Sequence, residues 1–125
     1  MSTLAISSAV PSVQVAQAST DAHLVDLWLH GRPPHTQRAY RADSDRFLAF
    51  VARPLPMVTL GDVQTFADSL TGKPSSRART LAAVKSLLAF GQRTGYLPLN
   101  VGAAVKLPAS KNTLAERILP RSELS

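Results

Sequence analysis

Residues 73–95, "KPSSRARTLAAVKSLLAFGQRTG", carry the most information about the fold. An α-helix turns about 100° per residue. On that period Leu81, Val84, Leu87 and Leu88 line up as one apolar stripe. The opposite side carries Ser75, Ala78, Arg79, Ala82, Ser86, Ala89 and Arg93, flanked by Lys85. Pro74 sits in the first turn, where its missing N–H costs nothing, and Gly95 stands just past the end. The segment holds five cationic side chains and no acid. It therefore predicts a helix that is apolar on one side and positively charged, with small residues, on the other.

The charge pattern extends beyond this helix. Residues 73–111 contain Lys73, Arg77, Arg79, Lys85, Arg93, Lys106 and Lys111 with no Asp or Glu, while the whole chain has a net charge of +6. The basic excess is thus confined to one segment, whereas a merely soluble surface mixes signs. That asymmetry points to an anionic partner: nucleic acid, a membrane surface or an acidic protein.

Three further helices are predicted upstream. "TDAHLVDLWLHG" places Leu24, Leu27 and Trp28 at helical spacing, with Thr20 or Asp21 as its cap and Gly31 as its stop. "HTQRAYRADSDRFLAFVA" starts after Pro34, with Tyr40, Phe47, Phe50 and Val51 on one arc and Arg38, Arg41 and Asp45 on the other. Arg41 and Asp45 form an i,i+4 pair on this reading, whereas Arg38 has no acid within reach on its own helix. "TLGDVQTFADSLTG" opens with a Thr-x-x-Asp capping box and closes at Gly72. Beyond Gly95, Pro98, Gly102 and Pro108 oppose a long element, though "NVGAAVK" suits a single helical turn. Short connections between these segments imply an all-α, compact four-helix bundle over residues 20–108. Residues 1–19 are expected to form a flexible, uncharged N-terminal arm, and residues 109–125 an extended linker.

Several function classes find no support. The chain has 125 residues, enough for one domain with a modest core, and no cysteine, so there is no disulfide scaffold and no thiolate metal site. His23, His30 and His35 cluster with no second ligand type, which argues against a metal. No phosphate-binding Gly-x-x-x-x-Gly-Lys, catalytic triad or secretory leader is visible. No catalytic residue, cofactor or small-molecule substrate is expected, and Tyr40, Tyr96 and Trp28 are read as packing residues. No apolar run is long enough to span a bilayer, and a cytoplasmic location is expected.

The order of segments resembles the N-terminal core-binding domain of the tyrosine recombinases, or phage integrases. The likeness rests on "HTQRAYRADSDRFLAF", "VTLGDVQTFADSL", "KPSSRARTLAAVKSLLAFGQRTGYLPLNVGAAVKLP" and "RILPRSEL". The third segment supplies Pro74, Ser76, Leu81, Val84, Lys85, Leu87, Leu88, Phe90, Gly95 and Asn100 at the family's spacing. It departs from the family in Val101, where a proline usually follows the asparagine, and in Lys73, where a capping Ser or Asn is common.

The resemblance implies a SAM-like bundle forming one half of a clamp around double-stranded DNA, with the second and fourth helices near the major groove. Carried onto this chain, the DNA contacts are His35, Thr36, Arg38 and Arg41 on the second helix and Ser76, Arg79, Thr80 and Lys85 on the fourth. It also implies that the first helix, with "LVDLWL", packs against a neighbouring protomer on the DNA, and that the protein is nucleoid-associated. The family's Arg–Lys–His–Arg cluster and nucleophilic Tyr belong to a C-terminal catalytic domain. "RILPRSEL" resembles the approach to that domain, so this chain alone is expected not to cleave DNA. Two other readings stay open: a helical protein-interaction module whose basic face meets an acidic partner, and a small stand-alone DNA-binding regulator.

Overall fold

Thr20 opens the first helix. Its hydroxyl accepts the His23 backbone N–H at 3.0 Å, satisfying one of the free amides at the start of α1 (Asp21–Leu29). The computed structural model describes residues 15–108, so residues 1–14 of the expected arm and the whole of the expected linker lie outside the described residues, while Ala18 of that arm is buried in the core and the Gln17 N–H donates to the Thr94 carbonyl at 3.1 Å. Helix α2 (Pro34–Val51) begins on a proline after the Gly31 turn, whose φ of 84° suits glycine. It ends at Ala52 in the left-handed region, with φ 52°. A 3₁₀ turn, Leu55–Met57, then leads to α3 (Leu60–Ser69).

The predicted capping box at α3 forms as expected. The Asp62 N–H donates to the Thr59 hydroxyl at 3.1 Å, and the Thr59 N–H donates to the Asp62 carboxylate at 2.9 Å. That second bond, with a smaller contribution from the neighbouring Arg53 guanidinium, holds the Asp62 carboxyl below the usual aspartate range. Helix α4 (Pro74–Arg93) has proline in its first turn, and a second 3₁₀ turn, Val101–Ala104, closes the described chain. The chain is all-α: four helices, with no strand among the described residues.

The helices converge on one core. Leu24, Val25, Trp28 and Leu29 of α1 meet Phe47 and Val51 of α2, Val63 and Phe66 of α3, and Leu81, Val84, Leu87 and Leu88 of α4. The stripe read from residues 81–88 is therefore the buried one. Phe66 sits edge-on to Phe47 at 5.0 Å and to Phe50 at 5.4 Å, which draws α2 and α3 together. Phe50 itself remains 43% exposed, at the margin of this contact. Where the chain leaves α4, the Tyr96 and Leu97 N–H groups both donate to the Gly91 carbonyl, folding Leu97 back onto the helix. A Cβ at Gly91 would lie 2.7 Å from Leu97 Cδ1, so a larger residue there would force the Leu97 side chain to move.

Asp21 does more than start a helix. Its carboxylate accepts the Leu55 N–H at 3.2 Å and the Tyr96 hydroxyl at 2.6 Å. One side chain thus joins the start of α1 to the chain after α2 and the chain after α4.

Candidate nucleic-acid interface

The exposed cations Arg38 and Arg79 stand on two helices that turn their apolar sides inward. α2 and α4 are the longest, with 18 and 20 residues, and they pack against each other through the core. Both start without a side-chain cap and without an acid in the first turn, whereas α1 and α3 have a capping Thr and a first-turn Asp. The positive dipole ends of α2 and α4 are therefore not neutralised by their own side chains.

The expected site residues fall into two groups. His35, Arg38, Ser76 and Arg79 are exposed, and Thr36 is half-buried near the start of α2. Neither Arg38 nor Arg79 is in an ion pair among the described residues, where the pairs are Arg41–Asp26 and Arg53–Asp62. The predicted Arg41–Asp45 pair is replaced by a contact between helices, because Asp26 of α1 comes within 2.9 Å of Arg41. Both partners are about half exposed or more, at 49% and 63%, so the pair is worth about 0–1 kcal/mol and yields readily to a stronger anion.

Two expected contacts face elsewhere. Thr80 is only 5% exposed, and its hydroxyl lies 3.5 Å from Asp43, too long for a firm hydrogen bond. Lys85 is half-buried, and its ammonium donates to the Val105 carbonyl, tying α4 to the second 3₁₀ turn. Likewise, Leu24, Val25, Trp28 and Leu29 of "LVDLWL" are spent in the domain's own core.

Asp43 was not singled out by periodicity, yet it sits in the seam between α2 and α4. It is 6% exposed, and its Oδ2 has no hydrogen-bond partner among the described residues. Burial pushes its carboxyl above the ordinary aspartate value of 3.8, opposed by the charges of Arg79 and Arg46 and by Thr80. Arg46, exposed on α2, thus joins Arg79 beside the seam. Its position three residues after Asp43 was the only sequence signal for it.

The sign of the pH effect follows from the raised value. The folded state holds the Asp43 proton more tightly than the unfolded one. Its contribution to stability is complete below pH 3.8 and is lost as pH rises through the native value. We expect Asp43→Asn to remove that loss. The variant's thermal midpoint should exceed wild type at pH 7, and the gap should close as pH falls below 3.8. A gap that stays constant with pH would assign the effect to packing.

Among the described residues, no cluster of His, Cys, Asp and Glu could hold a metal, and no helix is long and apolar enough to cross a membrane.

Residues 21–95 match the family described as "Phage integrase, N-terminal SAM-like domain". Tyrosine recombinase XerC of Mycobacterium tuberculosis (strain ATCC 25177 / H37Ra) is 32% identical over 90 residues, covering 67% of this chain and 30% of its own. Tyrosine recombinase XerC of Myxococcus xanthus is 31% identical over 109 residues, covering 82% of this chain and 35% of its own. The chain thus spans about a third of the length of the curated relatives it matches. No solved structure matches.

Proposed function

The chain belongs to the phage integrase N-terminal SAM-like domain family, and from that premise we propose that it binds double-stranded DNA as the core-binding part of a site-specific tyrosine recombinase. The observation that carries this reading is the uncompensated charge on two adjoining helices. Arg38 and Arg79 are exposed and in no ion pair among the described residues, on helices packed side by side, with Arg79 acting on the buried Asp43 carboxylate. Small residues around Arg79, such as Ser76 and the exposed Ala82, let a backbone approach closely while the guanidinium reaches further.

The proposed contact set is His35, Thr36, Arg38, Arg41, Ser76 and Arg79, with Arg46 added at the seam. Thr80 and Lys85 act through the fold in this proposal: Thr80 fills the seam below Arg79, and Lys85 holds the Val101–Ala104 turn against α4. Strand cleavage is placed in a part of the recombinase that these residues do not include. Self-association through α1 would use Ala22, His23, Asp26 and His30, the exposed residues of that helix and its end, in place of the buried apolar ones.

A salt titration separates this reading from the acidic-partner alternative. If about five phosphates are neutralised, log K should fall against log salt with a slope near −4 to −5. Arg79→Ala should weaken DNA binding by about 1–3 kcal/mol if it reads a base edge, and losing the charge beside Asp43 should push that carboxyl further up. Absence of duplex binding at low salt, with retained affinity for an acidic polypeptide, would favour the interaction module.

A further inference from the structure

Arg32 lies in the turn between α1 and α2, outside the contact set above, and its side chain is held from several directions. Its Nε–H donates to the Trp28 carbonyl at 3.0 Å. Its guanidinium carbon lies 4.9 Å from the centre of the Tyr40 ring and 5.5 Å from that of Trp28. Those two rings stack at 4.9 Å with 15° between their planes. The Trp28 indole N–H in turn donates to the Ser86 hydroxyl at 3.1 Å, so one stack links α1, α2 and α4. The backbone is fixed as well. The Arg32 N–H donates to the Leu29 carbonyl at 3.1 Å, and the Gln37 side-chain amide donates to the Arg32 carbonyl at 2.8 Å.

We propose that Arg32 is a DNA-backbone contact whose two Nη groups form a pre-set fork for one phosphate of duplex DNA. This rests on the DNA-binding reading above. The turn places Arg32 immediately before the start of α2, three residues from His35 and four from Thr36. Its charge is in no ion pair among the described residues, although the side chain is ordered by aromatic faces and a carbonyl. The Nε edge is taken by Trp28, which leaves the Nη1–Nη2 end, and that end matches two phosphate oxygens. An ordinary surface arginine loses rotamer freedom when it meets a phosphate, whereas one already clamped loses less. Ser86 adds a connection to α4, seven residues from Arg79, so the anchored cation is tied to both helices of the proposed interface.

The test uses the 125-residue chain and a short random-sequence duplex titrated over salt, because a phosphate contact needs no particular base sequence. Arg32→Ala should reduce the magnitude of the log K–log salt slope by about 0.9, the contribution of one phosphate. Affinity at low salt should drop by about five- to tenfold. Arg32→Lys should restore the slope but only part of the affinity, since an ammonium keeps the charge and loses the fork. If Arg32→Ala lowers the thermal midpoint and leaves slope and affinity at wild-type values, Arg32 is a packing cap on the aromatic stack and the proposal falls. Arg38→Ala serves as the reference for a cation in the proposed contact set. A slope reduced there and unchanged at Arg32→Ala overturns this inference alone, whereas a wild-type chain that binds no duplex overturns the DNA-binding reading as well.

Discussion

Leu88→Ala is expected to lower the unfolding free energy by about 2–5 kcal/mol. Leu88 is fully buried on α4, and the second 3₁₀ turn lies directly on it. The fit is close: a Cβ placed on Gly102 would be 3.0 Å from Leu88 Cδ1. Deleting the isobutyl group removes its transfer free energy and leaves a hollow beneath Val101 and Gly102 that the surrounding helices fill only in part. The loss extends to Lys85, whose ammonium is held by the Val105 carbonyl just past that turn. Urea unfolding followed by the fluorescence of Trp28, the one tryptophan, measures the effect. A loss below about 1 kcal/mol would mean that the turn is not seated on α4 as described.

Asp21→Ala should cost about 2–4 kcal/mol, on the scale of hydrogen bonds to a charged group plus the donors left unpaired. The Leu55 N–H and the Tyr96 hydroxyl both depend on this carboxylate, and the substitution frees two chain segments from α1. The same contact makes a pH prediction. Burial, then the Asp21 hydrogen bond and charge, push the Tyr96 hydroxyl above its ordinary value of 10.0. The folded state thus holds the phenolic proton more tightly, and the associated stability is fully present below pH 10.0 and is lost progressively above it. Wild type should lose stability on alkaline titration, and Tyr96→Phe should lose less over that interval. Parallel titrations of the two proteins would show that Tyr96 is not the group responsible. Asp21→Asn, which keeps an acceptor oxygen at the same place, should fall between Asp21→Ala and wild type.

Much of the fold was legible because helix signals are local. The stripe of Leu81, Val84, Leu87 and Leu88, the Thr59–Asp62 capping box and the proline starts of α2 and α4 all depend on residues within one or two turns. The brief helical turn in "NVGAAVK" also forms, as Val101–Ala104. The Leu55–Met57 turn carries no such signal, since its three residues are too few to show a period.

The candidate site was legible in its charge and less so in its geometry. Spacing correctly put Arg38 and Arg79 outside. It also put Arg41 beside Asp45, whereas the structure supplies Asp26 from another helix. The family resemblance placed Thr80 among the DNA contacts, although Thr80 stands one position before Leu81 and turns into the seam with α2.

What the sequence determined by itself is the set of four helices, the direction each turns its apolar side, and the concentration of positive charge in residues 73–111. What only the tertiary structure decided is which polar groups meet. Arg41 finds Asp26 across 15 residues, Lys85 finds Val105 across 20, Leu55 finds Asp21 across 34, and Tyr96 finds Asp21 across 75. The reason is physical. A helix repeats every 3.6 residues, so its own faces can be computed from neighbours in the chain. A partner on another helix is set by how the cores pack, and burial at that crossing determines whether a carboxylate such as Asp43 is left short of a hydrogen bond or an arginine such as Arg38 stays free.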